Sequence, residues 1–161
     1  MCDESSPRLN AQELGKLAAA RLDELRAAGE HLQPVVPSSR KLAAHCWGQA
    51  WMRHLAHCEA GGLCLAPGRT LLRHGCVLDV RVAPGLITAK VSADELYEVS
   101  LRLKPPDDER VENMRQLCCG QIDSLVSLLS GKIDDGVMQQ LCHPENGLLP
   151  EPADWHMFCS C

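Results

Sequence analysis

Three adjacent segments in the middle of the chain alternate apolar and polar residues, and this alternation constrains the fold more than any other feature of the sequence. In residues 76–82 the even positions are apolar and the odd positions are mostly polar, which is typical of a half-buried strand. Ala83-Pro84-Gly85 then predicts a tight turn, since proline fixes φ and glycine accepts a positive φ. Residues 87–92 and 97–103 alternate in the same way. The sequence therefore predicts a meander of three short antiparallel strands with a common apolar face.

Helices are expected to cover this face, because a small sheet with one exposed hydrophobic side would aggregate. Pro105 and Pro106 end the strand region, and Asp107 or Asp108 can cap a following helix. Asp134 can open another helix. The apolar stripes of the three predicted helices are Val111, Met114, Leu117 and Cys118; Ile122, Leu125, Val126 and Leu129; and Val137, Met138 and Leu141. A final strand is predicted from Trp155 to Cys159. The predicted fold class is α+β.

The N-terminal third has a different pattern. Residues 11–29 predict an amphipathic helix that ends at Gly29, and Pro34 and Pro37 then favour an extended connector. We expect this arm, residues 1–39, to be loosely attached. The remaining divisions are a helix from about Trp47 to Cys58 with the sheet in 40–104, a helical region in 105–154, and the segment 155–161.

The composition is that of a globular protein, with 45% hydrophobic and 23% charged residues. The first fourteen residues contain no apolar leader, and the apolar run from Ser124 to Gly131 is too short to cross a bilayer. We therefore expect a cytoplasmic protein with no membrane association. Its ten cysteines are interpreted as reduced thiols, most of them small buried hydrophobic residues.

The charge is distributed unevenly along the chain. Residues 40–104 carry nine basic and five acidic groups, whereas residues 105–161 carry three basic and ten acidic groups. A phosphate-binding surface would therefore lie in the middle of the chain, and the last third would repel a nucleic acid. Solvated faces of unequal sign explain the same asymmetry equally well.

The sequence ends in Cys159-Ser160-Cys161. In an extended segment residues two apart point to the same side, so the two thiolates can bind one cation and supply half of a tetrahedral zinc site. Candidates for the other half are the Cys142-His143 and Cys118-Cys119 doublets and His156. Adjacent side chains rarely point at one ion, and Cys118 continues an apolar stripe. The origin of the other two ligands stays open.

Catalytic alternatives have weaker support. His45, His54 and His57 lie in or near one helix, but no paired carboxylate or cysteine accompanies them, so we interpret them as surface or capping residues. Cys46 follows His45 and Cys142 precedes His143, which are the residue types of a thiol nucleophile and its base. Sequence neighbours seldom form the hydrogen bond that this chemistry needs, and no glycine-rich phosphate loop is present. The sequence predicts that the protein is not an enzyme.

Several segments resemble the bacterial SWIM zinc finger proteins. The segment CCGQIDSLVSLLSGKIDDGVMQQLCHPENGLLPEPADWHMFCSC resembles the region leading into their zinc finger, WGQAWMRHL resembles their W-G-x-x-W segment, and GRTLLRHGCVLDVRVAPGLITAKVSADELYEV resembles their G-R-x-Y-x-R-x-G strand region. The arm segment LRAAGEHLQPV is also similar. The chain departs from the family at Leu71, where the family has an aromatic residue, and at residues 63–67, where the family has a more basic loop.

The resemblance implies a non-catalytic zinc-binding module that contacts nucleic acid or a SWI/SNF-type helicase. The family motif is C-x-C followed, after a gap, by C-x-H, so only Cys159 and Cys161 inherit a ligand role for Zn²⁺ here. We expect the missing half to reflect truncation, and a dimer that joins two CSC pairs is the alternative. For nucleic acid, the predicted contacts are Arg69 and Arg73, acting together with Arg81 and Lys90.

Overall fold

The computed structural model of the protein describes residues 10–37, 42–43, 45–59, 65–119, 129, 133–143 and 146–161. Among these residues it contains five α-helices, one short 3₁₀ helix and four strands. They are α1 (Ala11–Ala27), α2 (Cys46–Glu59), α3 (Ala66–Arg73), β1 (Val77–Ala83), β2 (Leu86–Ser92), β3 (Leu96–Leu103), α4 (Asp108–Cys118), α5 (Asp135–Leu141), the 3₁₀ helix Pro152–Asp154 and β4 (Trp155–Cys159). The predicted helix with Ile122, Leu125 and Val126 lies outside the described residues.

The four strands form one antiparallel sheet in the order β1-β2-β3-β4, which confirms the α+β fold. The three meander strands are where the alternation predicts them, and the turn between β1 and β2 contains Gly85 at φ 69°. The C-terminal strand is also confirmed. It lies beside β3 at the sheet edge, where the main-chain N–H of Lys104 donates to the carbonyl of Asp154 at 2.9 Å.

The described chain divides into two compact units. The first contains the described residues of Met1–Ser38, Cys64–Arg102 and His156–Cys161, and it holds α1, α3 and nearly the whole sheet. The second contains those of Ser39–Leu63 and Leu103–Trp155, and it holds α2, α4 and α5. Among the described helices of both units, none combines the length and the apolar character that crossing a bilayer requires.

Helix α1 is an integral part of the first unit, so the expectation of a loosely attached arm is wrong. The Asn10 side chain accepts from the N–H of Gln12 and Glu13, and the Glu13 carboxylate accepts from the Asn10 N–H in return, which fixes the start of the helix. Ala18 packs in a fully buried cluster with Cys76 and Leu78. The partly buried residues around this cluster are Leu14, Leu22, Leu25, Leu71 and Leu96.

A β-bulge in β1 divides the apolar row that the sequence predicts. Val77 is paired with Val91 but Asp79 is paired with Lys90, so β1 has one extra residue between these pairs. A one-residue shift reverses the alternation of sides along a strand. As a result Leu78 is fully buried near α1, whereas Val82, four positions later, is 76% exposed. The alternation predicted one common apolar face, and the bulge distributes these residues over two.

The extended connector after α1 runs along the outer edge of β1. The N–H of Val35 donates to the carbonyl of Val77 at 3.1 Å, and the N–H of Gln33 donates to Asp79 Oδ1 at 2.9 Å. Arg81 Nε donates to the other Asp79 oxygen at 2.8 Å. The Gln33 N–H and the Arg81 guanidinium together lower the pKa of Asp79, although burial opposes this shift. Asp79 is therefore a buried carboxylate with a hydrogen-bond partner for each oxygen.

The second unit is organised around α2, α4 and α5. Asp107 caps α4 by accepting from the N–H of Arg110, and Asp134 caps α5 by accepting from the N–H of Gly136, as the sequence predicts. His54 is half-buried, and its Nε2 lies 2.7 Å from the carbonyl oxygen of Pro150. Its ring is also edge-on to those of Trp51 and Trp155. His54 is thus a packing residue rather than a surface or capping residue.

Candidate functional site

The predicted metal-binding pair lies where β4 ends. Cys159 is the last residue of β4 and is half-buried, and Cys161 is exposed. The serine between them is anchored to β3 by two hydrogen bonds: its N–H donates to the Glu98 carbonyl at 3.0 Å, and its Oγ accepts from the Glu98 N–H at 3.0 Å. No role for Ser160 was predicted from the sequence, although its position between the two cysteines is the signal for one.

A hydrogen bond also joins the two cysteines. The main-chain N–H of Cys161 donates to Cys159 Sγ at 3.3 Å. Cysteine binds a metal ion as the thiolate. The two residues fit zinc in ligand type, since zinc accepts cysteine sulfur, but they are two of the four ligands that a closed structural site uses.

The other candidate ligands do not join this pair. In the described ranges no group of three or more histidine, cysteine, aspartate or glutamate side chains is arranged to hold a metal ion. Cys118 Sγ donates instead to Met114 Sδ, which is buried, at 3.8 Å. Cys142 is half-buried, and burial raises the pKa of its thiol. His156 is exposed on β4.

The four basic residues predicted to contact nucleic acid fall into two pairs. Arg69 and Arg73 lie four residues apart on α3, and therefore on one face of that helix, with Arg69 half-buried and Arg73 exposed. Arg81 and Lys90 lie on β1 and β2 and form ion pairs with Asp79 and with Glu30. Helix α3 was not predicted from the sequence, although Pro67 in its first turn is a helix-start signal.

Neither neighbouring cysteine and histidine forms the hydrogen bond of a nucleophile and its base. Cys46 Sγ donates to Asp135 Oδ1 at 3.6 Å, and the His45 ring stacks on that of Trp47. In the second pair His143 Nδ1 accepts from the N–H of Asn146 at 3.3 Å. Because burial raises the pKa of Cys142, that thiol is a poorer nucleophile at neutral pH than a free cysteine.

Comparison of the chain with protein-family models, with curated proteins and with solved structures found no match.

Proposed function

We propose that this chain is a non-catalytic, SWIM-type zinc-binding interaction module in the cytoplasm, in which the thiolates of Cys159 and Cys161 bind Zn²⁺. The observation that carries the proposal is the hydrogen bond from the Cys161 N–H to Cys159 Sγ, on a segment that Ser160 fixes to β3. Ligands held by such supporting hydrogen bonds lose less freedom when a metal binds. Cys159 and Cys161 supply two of the four ligands of a closed site. A second copy of the CSC pair is one source of the other two.

Metal analysis of the purified chain tests this proposal. We would measure bound zinc by mass spectrometry and record the thiolate charge-transfer band after cobalt substitution, for the wild type, Cys159→Ser, Cys161→Ser and the exposed control Cys119→Ser. We expect the band in the wild type and the control and its loss in the other two variants. Zinc binding that survived the replacement of both terminal cysteines would exclude these ligands.

The stoichiometry separates the sources of the other ligands. A four-sulfur site between two copies would make zinc drive dimerisation at one ion per two chains, which sedimentation would detect. Two thiolates alone would bind zinc far more weakly than four-ligand sites, which gain about 10 to 16 kcal/mol at neutral pH. A monomer with stoichiometric, tightly held zinc would contradict the half-site and would require ligands from earlier in the chain.

For the partner, nucleic acid is the first candidate, through Arg69 and Arg73. Two arginines four residues apart on one helix face, with Arg73 exposed and Arg69 half-buried, can contact phosphates without reading the sequence. Anisotropy of a labelled duplex at low and high salt would test this, with Arg73→Gln compared with Arg102→Gln, an exposed arginine on β3. We expect binding that weakens with salt and with Arg73→Gln. Binding that did not depend on salt would exclude phosphate contacts.

A protein partner, such as a SWI/SNF-type helicase, is the second candidate, and the ion pairs of the sheet favour it. Asp79 and Glu30 already neutralise Arg81 and Lys90, so these two cations offer little to a phosphate. The single tyrosine, Tyr97, donates a hydrogen bond from its hydroxyl to the Asp94 carboxylate at 2.8 Å. This hydrogen bond raises the pKa of Tyr97 to about 12, and the carboxylate places a negative charge beside the ring. A SWI/SNF-type helicase that stays bound to this chain after nuclease treatment would support this candidate. Complete loss of the helicase after that treatment would exclude it.

A further inference from the structure

One face of the sheet in the first unit carries a groove of about 520 Å³ that the zinc proposal does not use. Polar side chains from three strands form its floor, Glu30 of the connector lies at one side, and Phe158 of β4 lies at the other. The floor residues are Asp79, Arg81, Thr88, Lys90, Glu98 and Ser100. The groove is open to solvent, and its residues include Arg81 and Lys90, which already form ion pairs within the protein.

The strand register arranges the floor in two rows. In the first row Lys90 is paired with Asp79 on one side and with Glu98 on the other. In the second row Thr88 is paired with Arg81 and with Ser100. Cross-strand partners on one face are close enough for their side chains to contact a common ligand. The two hydroxyl groups therefore lie side by side, one row away from Glu98.

The charges of the groove leave one carboxylate uncompensated. The Asp79 carboxylate pairs with Arg81, and the Glu30 carboxylate pairs with Lys90. Within the described part of the chain Glu98 donates and accepts only through its main chain, to and from Ser160, and no group is bound to its exposed carboxylate. The groove thus has a net negative charge located at Glu98.

Phe158 adds an apolar wall beside this charge. Phe158 is 63% exposed. An exposed aromatic ring next to a carboxylate attracts an organic cation, because the ring face interacts with the positive charge and the ring covers the alkyl stem. An anion would meet Glu98 and two cations that are already paired.

We propose that this groove binds a primary alkylammonium group, presented by a free diamine or by a lysine side chain of a partner protein. An ammonium group has three N–H donors. The groove offers three acceptor groups, which are the Glu98 carboxylate and the hydroxyls of Ser100 and Thr88. Phe158 contacts the alkyl stem. The proposal does not depend on zinc or on the two terminal cysteines.

Amide chemical shifts of the whole chain, followed by NMR during titration, test the proposal. The probes are cadaverine, Nα-acetyl-lysine N-methylamide and, as the uncharged control, pentanol. We expect saturable shifts at Thr88 and Ser100 with both amines, and these should weaken with added salt because the attraction is between charges. Shifts of equal size with pentanol, or no saturation with either amine, would overturn the proposal. Whichever amine binds more tightly identifies the source of the ammonium group.

Glu98→Gln and Glu24→Gln are the matched variants. Both residues are exposed, but Glu24 lies on α1 and does not line the groove, so both variants should fold. We expect Glu98→Gln to weaken amine binding about fivefold, the effect of an exposed ion pair, and Glu24→Gln to leave it unchanged. Equal weakening by both variants would mean that only the overall charge matters and would overturn the site.

Discussion

The cysteines next to the two outer strands of the sheet differ in their exposure to solvent. Just before β1, Cys76 is fully buried with Ala18 and Leu78, and burial raises the pKa of its thiol. At the end of β4, Cys161 is exposed, and its N–H donates to the sulfur of Cys159. Burial in apolar surroundings makes a thiol inert, while exposure leaves the Cys161 thiol accessible as a ligand. The residue type is the same, and the packing decides its chemistry.

Leu78→Ala, in the buried cluster around Cys76, should have the largest effect on stability. Leu78 is fully buried, so its truncation removes apolar contacts and leaves a cavity that destabilises the fold by about 2 to 5 kcal/mol. Val82→Ala on the same strand is the control, and it should change stability by less than about 0.5 kcal/mol because Val82 is 76% exposed. Urea denaturation of both variants measures the difference. Similar losses would mean that the bulge does not separate the two positions.

Thiol alkylation compares the buried Cys76 with the exposed Cys161 directly. Under native conditions we expect Cys161 to react on the order of a hundredfold faster than Cys76, because exposing Cys76 requires a local opening of about 3 kcal/mol. Peptide mapping by mass spectrometry after a timed pulse of reagent gives both rates, and a pulse in denaturant gives the matched reference. Comparable rates in the native state would show that the core around Cys76 opens freely.

Asp79→Asn tests the polar part of the buried end. The variant keeps an acceptor for Gln33 but loses the charge that pairs with Arg81, and we expect it to destabilise the fold by about 1.5 to 3 kcal/mol at neutral pH. The pKa of Asp79 is lowered in the folded protein, so its stabilising effect is present above the unfolded pKa of about 3.9 and disappears as the pH falls through the folded pKa.

Stability measured from neutral pH down into the acid range checks this. The wild type should lose more stability on acidification than Asp79→Asn does. Asp23→Asn, at an exposed carboxylate on α1, should follow the wild-type curve. If Asp79→Asn showed the same acid dependence as the wild type, the acid sensitivity would belong to other carboxylates.

Ser160→Ala, in the exposed segment after β4, should have the smallest effect on stability. It removes the oxygen that accepts from the Glu98 N–H, and water can replace that oxygen at an exposed site, so we expect a loss of about 0.5 to 1 kcal/mol in thermal denaturation. Zinc or cobalt affinity should weaken about tenfold, because the serine orients the two ligands. Ser100→Ala on β3 is the control for affinity. Unchanged affinity in Ser160→Ala would remove the positioning role.

Much of the secondary structure could be predicted from local pattern. Alternation located the strands, proline and glycine located the turn at Gly85, and aspartates at 107 and 134 located two helix starts. Helix α3 was missed, since it has only eight residues, contains Gly68 and has no side chain that caps its first turn. The pairing of Arg81 with Asp79 and of Lys90 with Glu30 was missed as well, because the partners come together only through the sheet and the connector.

By itself the sequence determined the α+β class, the three-stranded meander and the extended segment that carries the two terminal thiols, because each follows from interactions between residues near each other in the chain. Only the tertiary structure decided which apolar residues are buried. The bulge in β1 separates Leu78 from Val82, and α1 packs against the first of them, although the alternation treats both residues alike. The groove at Glu98 has the same origin, since strand register brings together charges that lie far apart in sequence.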